Sequence, residues 1–202
     1  LAVGPSLAGP ALPTYPGHSG AGGGLQGADA VSVPFRLDQC ADRIGQGFSK
    51  VYQAHFMREM LAYLKDKHRQ FQHDSRQEAL TALAKIGAIK TLGKMRTFWE
   101  FDDKVTAPLN GYLNVDDYYR RASSRYFLGA IDTPTLIIHA EDDPFVFRHS
   151  IPEQHELSAS TQLERHAQGG HVGFVSGSLK TPGYYLEQRI PQWLAGLRDG
   201  RT

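Results

Sequence analysis

The chain has 202 residues and a formal net charge of +1, so no excess of basic charge argues for nucleic acid or an acidic membrane surface as a partner. Its nine histidines show no ligand spacing on a common helix face, and its single cysteine excludes an internal disulfide and fits a reducing, cytoplasmic compartment. No apolar run approaches membrane-spanning length and no signal peptide is visible, so stable membrane insertion is not expected.

The chain opens on Leu1 rather than Met, directly inside an apparent element, which reads as a fragment or a processed product. Leu1-Ala2-Val3 predicts a short strand running into Gly4-Pro5-Ser6-Leu7-Ala8, close to the G-x-S-x-G turn that exposes a nucleophilic serine. Gly4 fits that pattern and Ala8 stands where the second glycine belongs. Pro10, Pro13, Pro16 and Gly22-Gly23-Gly24 then forbid a helix, because interior prolines remove hydrogen bonds and clash with the preceding turn; residues 10–27 read as an irregular low-complexity segment.

Ala28 to Val33 predicts a strand closed by Pro34, and Leu37 to Ile44 a short amphipathic helix, with Cys40 a buried structural thiol. Phe48, Val51, Tyr52, Phe56, Met60, Tyr63 and Leu64 recur at helical steps and predict a packing face, or the lining of an acyl pocket if the helix caps a site. Lys65 to Arg76 reads as a solvated turn or helix end, and Gln77 to Ile86 as a further helix. Asp102 and Asp103 are adjacent, so they diverge on a helix and suit a structural role, one of them capping a helix, better than an acid–base pair. Asp116-Asp117 opens another helix, its acidic residues at the favourable end.

Thr135 to His139 is the most informative element. Leu136, Ile137 and Ile138 are consecutive apolar residues, the pattern of a parallel strand covered on both faces. The run ends at Glu141-Asp142-Asp143-Pro144, carboxylates just past a strand's carboxyl end, where open α/β sheets hold their ligands. Ile151 to Leu157 predicts a short helix, Gln162 to Arg165 an edge strand, and Tyr185 to Leu197 an amphipathic C-terminal helix despite Pro191. Between these last two lies Gly169-Gly170-His171, 28 residues after Asp143.

Serine, acid and histidine thus occur in the order Ser6, Asp143, His171. A serine hydroxyl becomes a useful nucleophile when a histidine removes its proton, and the histidine needs a carboxylate on its other ring nitrogen. Singly, Asp143 is a turn residue and His171 a loop residue; together, after a buried strand, they point to a hydrolase.

Gly47-Phe48-Ser49-Lys50-Val51-Tyr52-Gln53, Glu100-Phe101-Asp102-Asp103, Asp116-Asp117-Tyr118-Tyr119, Pro134-Thr135-Leu136-Ile137-Ile138-His139-Ala140, Asp142-Asp143-Pro144-Phe145 and Gly169-Gly170-His171-Val172-Gly173-Phe174 closely resemble the YheT-like α/β-hydrolases. The resemblance implies a partial α/β-hydrolase fold: one domain over 1–202, holding the C-terminal half of a parallel sheet, with residues 37–130 as a mostly helical cap or crossover. It implies a serine carboxylic-ester hydrolase acting on short- to medium-chain acyl esters or lipid esters, without cofactor or metal. Ser6 would be the nucleophile, Asp143 the acid with Asp142 in reserve, His171 the base, and the Leu7 backbone amide one oxyanion donor. Family members carry a second donor in a His-Gly loop far upstream of the serine, so little turnover is expected of these 202 residues alone. A perhydrolase would use the same triad. The alternative is a catalytically inactive remnant or interaction module of the same fold.

Overall fold

The computed structural model describes residues 2–5, 26–178 and 180–199; the predicted nucleophile Ser6, the Leu7 amide and most of the 10–27 segment lie outside them. The chain divides into two compact units, one of residues 1–40 with 123–202 and the other of residues 41–122.

The first unit is built on four parallel strands in sequence order: β1 (Ala2–Pro5), β2 (Ala28–Val31), β3 (Thr135–Ala140) and β4 (Thr161–His166). This is the predicted parallel α/β arrangement, and β3 and β4 begin and end within a residue of expectation. The register carries Pro5 level with Val31 and Val31 level with Ile138, so all four carboxyl ends share one edge of the sheet. β2 stops two residues earlier than expected because Ser32 turns to φ +53°, a left-handed conformation that breaks the pleat, although Val33 and Phe35 beyond it remain buried.

Alternation along the strands gives the sheet two cores. Ala30, Val33, Phe35 and Ile137 pack with Leu128, Ile131 and Ile151 on one face. On the other, Val31, Leu136, Ile138 and Ala140 meet Phe174 and Trp193, the latter from the C-terminal helix Tyr185–Arg198. Burying a side chain of this size stabilises by about 1.5–3 kcal/mol, which is why the centre of β3, Leu136 to Ile138, is apolar on both sides. Two further elements differ from expectation in this unit. A hairpin of β5 (Val175–Ser178) and β6 (Thr181–Tyr184) was not legible, and the predicted 151–157 helix is only the 3₁₀ turn Gln154–Glu156.

The second unit is helical. Its longest helix, Ser49–His73, extends well into the charged stretch expected to be a solvated turn or helix end and finishes within it, since Lys, Arg and Gln there are good helix formers facing water. The buried face meets the predicted one at Leu64, with Met60 partly buried against the same core, and otherwise lies beside it. Gln53, Met57, Leu61 and Leu64 turn inward, the last three onto Leu83, Ile86, Leu92 and Met95, whereas Phe48 and Tyr63 are 77% and 64% exposed. The aliphatic and aromatic stripes run one residue apart on the same helix, and the aliphatic one forms the core. The two neighbouring aspartates diverge: Asp103 accepts from Val115 N–H at the start of Val115–Ala122 (3.2 Å), and Asp102 accepts from the Tyr119 hydroxyl (2.7 Å).

Asp29, in the middle of β2, is fully buried, and no donor among the described residues reaches either carboxyl oxygen. Burial pushes its pKa from 3.8 up to about 7, with Arg189 opposing and Glu164 adding to the rise. Folding therefore favours the protonated acid: the stability this confers is complete below about pH 4 and is lost as the pH rises through 7. Asp29→Asn should melt higher than the parent at pH 8 by at least about 2–4 °C and no higher at pH 4, as read by thermal circular dichroism at the two pH values.

Candidate active site

The site is assembled where β3 and β4 end. Main-chain pairing with β4 continues one step past β3, Glu141 N–H donating to His166 C=O at 2.8 Å. Glu141 itself faces the surface and pairs with Arg148 and Arg165. The chain then turns, and Asp143 drops into the interior while Asp142 stays exposed.

Each carboxylate oxygen of Asp143 makes a short contact. One carboxylate oxygen accepts from Phe145 N–H at 2.8 Å, and the other accepts from Nδ1 of His171, also at 2.8 Å. The carboxylate is wholly buried and the imidazole about one-fifth exposed. A neutral imidazole that donates from Nδ1 carries its lone pair on Nε2, the arrangement that fits a ring to act as a base. The Phe145 ring stands edge-on to the imidazole, centroids 4.7 Å apart, and restricts its rotation.

The loop carrying His171 is fixed by backbone geometry. Gly170 has φ +63°, which a residue with a side chain rarely adopts, and Phe174 has φ +45°. Phe174 N–H donates to Gly169 C=O at 2.8 Å, closing the loop, and its ring is buried beneath it. At Gly169 a Cβ would stand 2.7 Å from the Phe174 ring and 2.9 Å from Cβ of Ala140, so no side chain fits. Asp142 lies against the same loop: its Oδ1 accepts from both Gly169 N–H (2.9 Å) and Gly170 N–H (2.8 Å).

Of the predicted site residues, the structure brings Asp143 and His171 together, and it directs Asp142 to the loop backbone instead of the ring. Ser6 and Leu7 lie outside the described residues. β1, ending at Pro5 immediately before Ser6, reaches the same sheet edge as Asp143, two strands away. Cys40, expected to be a buried structural thiol, is half-buried, and burial together with the nearby Asp143 charge pushes its pKa up to about 12. A thiol held protonated in this way is no nucleophile. Sequence reasoning did not anticipate the packing role of Phe145 or the backbone contacts of Asp142, neither of which leaves a pattern in residue type.

Among proteins of known sequence, the chain is similar to the YheT protein of Escherichia coli (strain K12), which is assigned as an esterase, with 37% identity over 201 residues, or 100% of this chain and 56% of that one. It is also similar to Phospholipase ABHD3 of Mus musculus, 28% identical over 198 residues, covering 98% of this chain and 46% of the relative. The chain thus spans about half the length of the relatives it matches. Among solved structures, an esterase (EaEST) from Exiguobacterium antarcticum aligns over 97% of this chain and 65% of its own, with 16% identity and a TM-score of 0.41. No protein-family model matches.

The tight fit at Gly169 generates a stability test. Gly169→Ala should cost about 1–3 kcal/mol, as overpacking does in a closed interior. Gly173→Ala, where an added Cβ would meet Gly169 C=O at an ordinary 3.5 Å, serves as the control and should cost less. Urea unfolding of the two variants beside the parent gives the comparison.

Proposed function

Because this chain belongs to the YheT-like α/β-hydrolase family, we propose that it carries the nucleophile, acid and base of a serine hydrolase that cleaves carboxylic esters, either of short to medium acyl chains or of lipids. In this reading the Ser6 hydroxyl attacks the ester carbonyl while Nε2 of His171 takes its proton. The tetrahedral oxyanion is met by the Leu7 N–H, and collapse expels the alcohol, which receives the proton back from His171. Water then repeats the sequence on the acyl-enzyme and releases the acid. Asp143 holds the imidazole in the tautomer that leaves Nε2 basic and stabilises the imidazolium that forms at each step.

The observation that carries this reading is the 2.8 Å contact between a fully buried Asp143 carboxylate and Nδ1 of His171. A buried carboxylate needs a reason to be there, and orienting an imidazole at the rim of a parallel sheet is a chemical one. Support also comes from topology, since the strand preceding Ser6 runs parallel to β3 and ends on the same edge. The lipid-ester option draws on the phospholipase relative.

Fluorophosphonate labelling tests the reading, because the probe phosphonylates an activated serine and does not require complete turnover. The chain should be labelled at Ser6, with labelling abolished in Ser6→Ala and slowed at least about a hundredfold in His171→Ala. A folded parent chain that takes up no label would favour the inactive remnant. Labelling that persists in Ser6→Ala would remove Ser6 as the nucleophile.

A further inference from the structure

We infer that Asp142 is a positioning residue, whose carboxylate sets the loop backbone so that the His171 ring meets Asp143. The inference concerns the His171–Asp143 pair, and its effect on reactivity rests on the hydrolase reading above.

Two adjacent carboxylates leave the end of β3 and do different work. Asp143 turns inward and engages the imidazole; Asp142 stays at the surface and, among the described residues, engages main chain. A single oxygen, Oδ1 of Asp142, receives the consecutive N–H groups of Gly169 and Gly170, 27 and 28 residues downstream. Consecutive N–H groups converge on one point only when the peptide between them is turned, and the φ of +63° at Gly170 belongs to that turn. His171 is the next residue. Its Cα position and the direction of its side chain therefore follow from the peptide that Asp142 holds.

The other side of the loop has its own anchor, Phe174, buried and hydrogen-bonded to Gly169 C=O. Between these anchors lie only His171, Val172 and Gly173, and Val172 is 45% exposed. The loop has packing on the Phe174 side and, leading into His171, the Asp142 carboxylate. Without that carboxylate the Gly169–Gly170 peptide keeps its C=O bond to Phe174 N–H but loses its N–H anchor, as does Gly169 N–H, and the ring rides on a backbone that holds its distance to Asp143 less closely. Both aspartates sit on one turn at the end of a strand paired on both edges, so the loop and the ring are referenced to the same rigid element.

The experiment uses the whole chain and reads the His171 ring directly. In ¹⁵N-labelled protein the Nδ1 proton bonded to Asp143 gives a downfield resonance, assigned by its loss in Asp143→Asn, and its exchange with water measures how well the pair is held. Asp142→Ala should speed that exchange at least tenfold and slow fluorophosphonate labelling about tenfold, with a far smaller change in melting temperature than Gly169→Ala causes. Asp142→Asn, which keeps a neutral acceptor oxygen in place, should restore most of both. Parent-like ring-proton exchange in Asp142→Ala would overturn the inference, as would Asp142→Asn behaving like Asp142→Ala. Should Asp142→Ala fail to fold, Asp142→Glu decides: it keeps the charge but displaces the oxygen, so faster exchange supports the positioning role and unchanged exchange refutes it. If the parent chain takes no label at all, the hydrolase reading has failed while the ring-proton arms still judge the role of Asp142.

Discussion

Leu136, Ile137 and Ile138 are wholly buried because the strand they form is paired in parallel on both edges and packed on both faces. This pairing underlies the rest of the first unit. Parallel strands have their carboxyl ends on one edge, so β1, β2, β3 and β4 all end on the same side. The apolar run Leu136–Ile138 gives way to charged residues where β3 leaves the sheet. Glu141, Asp142 and Asp143 occupy that boundary and leave it in three directions: to surface arginines, to the glycine loop and to the imidazole.

The site shows how little side-chain chemistry is required once the backbone is fixed. Among the described residues a buried carboxylate and an imidazole form its polar centre, with the Phe145 ring edge-on beside them. Glycine conformations, a left-handed phenylalanine and main-chain hydrogen bonds hold that centre in place. Such an arrangement is preorganised, in that the donors and acceptors already face one another before any ligand arrives.

The legible parts of the fold are those in which burial leaves a pattern. β3 reads clearly because three apolar residues in a row fit a strand covered on both sides, and Asp143 with His171 read clearly because type, order and spacing converge. Patterns failed where two of them overlapped or where none existed. On Ser49–His73 the aromatic residues made the more conspicuous stripe, yet the neighbouring line of Met57, Leu61 and Leu64 fits the Leu83 and Met95 surface better and is the one buried. The charged run Lys65–Arg76 read as a turn or a helix end; the helix does end there, at His73, but only after solvated charges have carried it through most of the run. The β5–β6 hairpin carries Gly177 and Pro182, residues poor in strand propensity, and it closes so tightly that a Cβ at Gly177 would fall 2.5 Å from Thr181 C=O. The contacts of Asp142 could not be read at all, since they are made to backbone atoms that every residue possesses.

Phe174 joins two parts of the first unit that are otherwise separate in the chain. Its N–H closes the histidine loop, its ring lies in the core beside Trp193, and its C=O accepts from Tyr185 N–H (3.2 Å) at the first turn of the C-terminal helix. The histidine loop and the last helix consequently share a hinge pin. Fraying of that helix from the sheet would draw Phe174 out of its seat and release Gly169, so the two segments should open and close as one cooperative unit. A loop that is exposed at its tip thereby inherits the protection of a helix that begins more than ten residues after it.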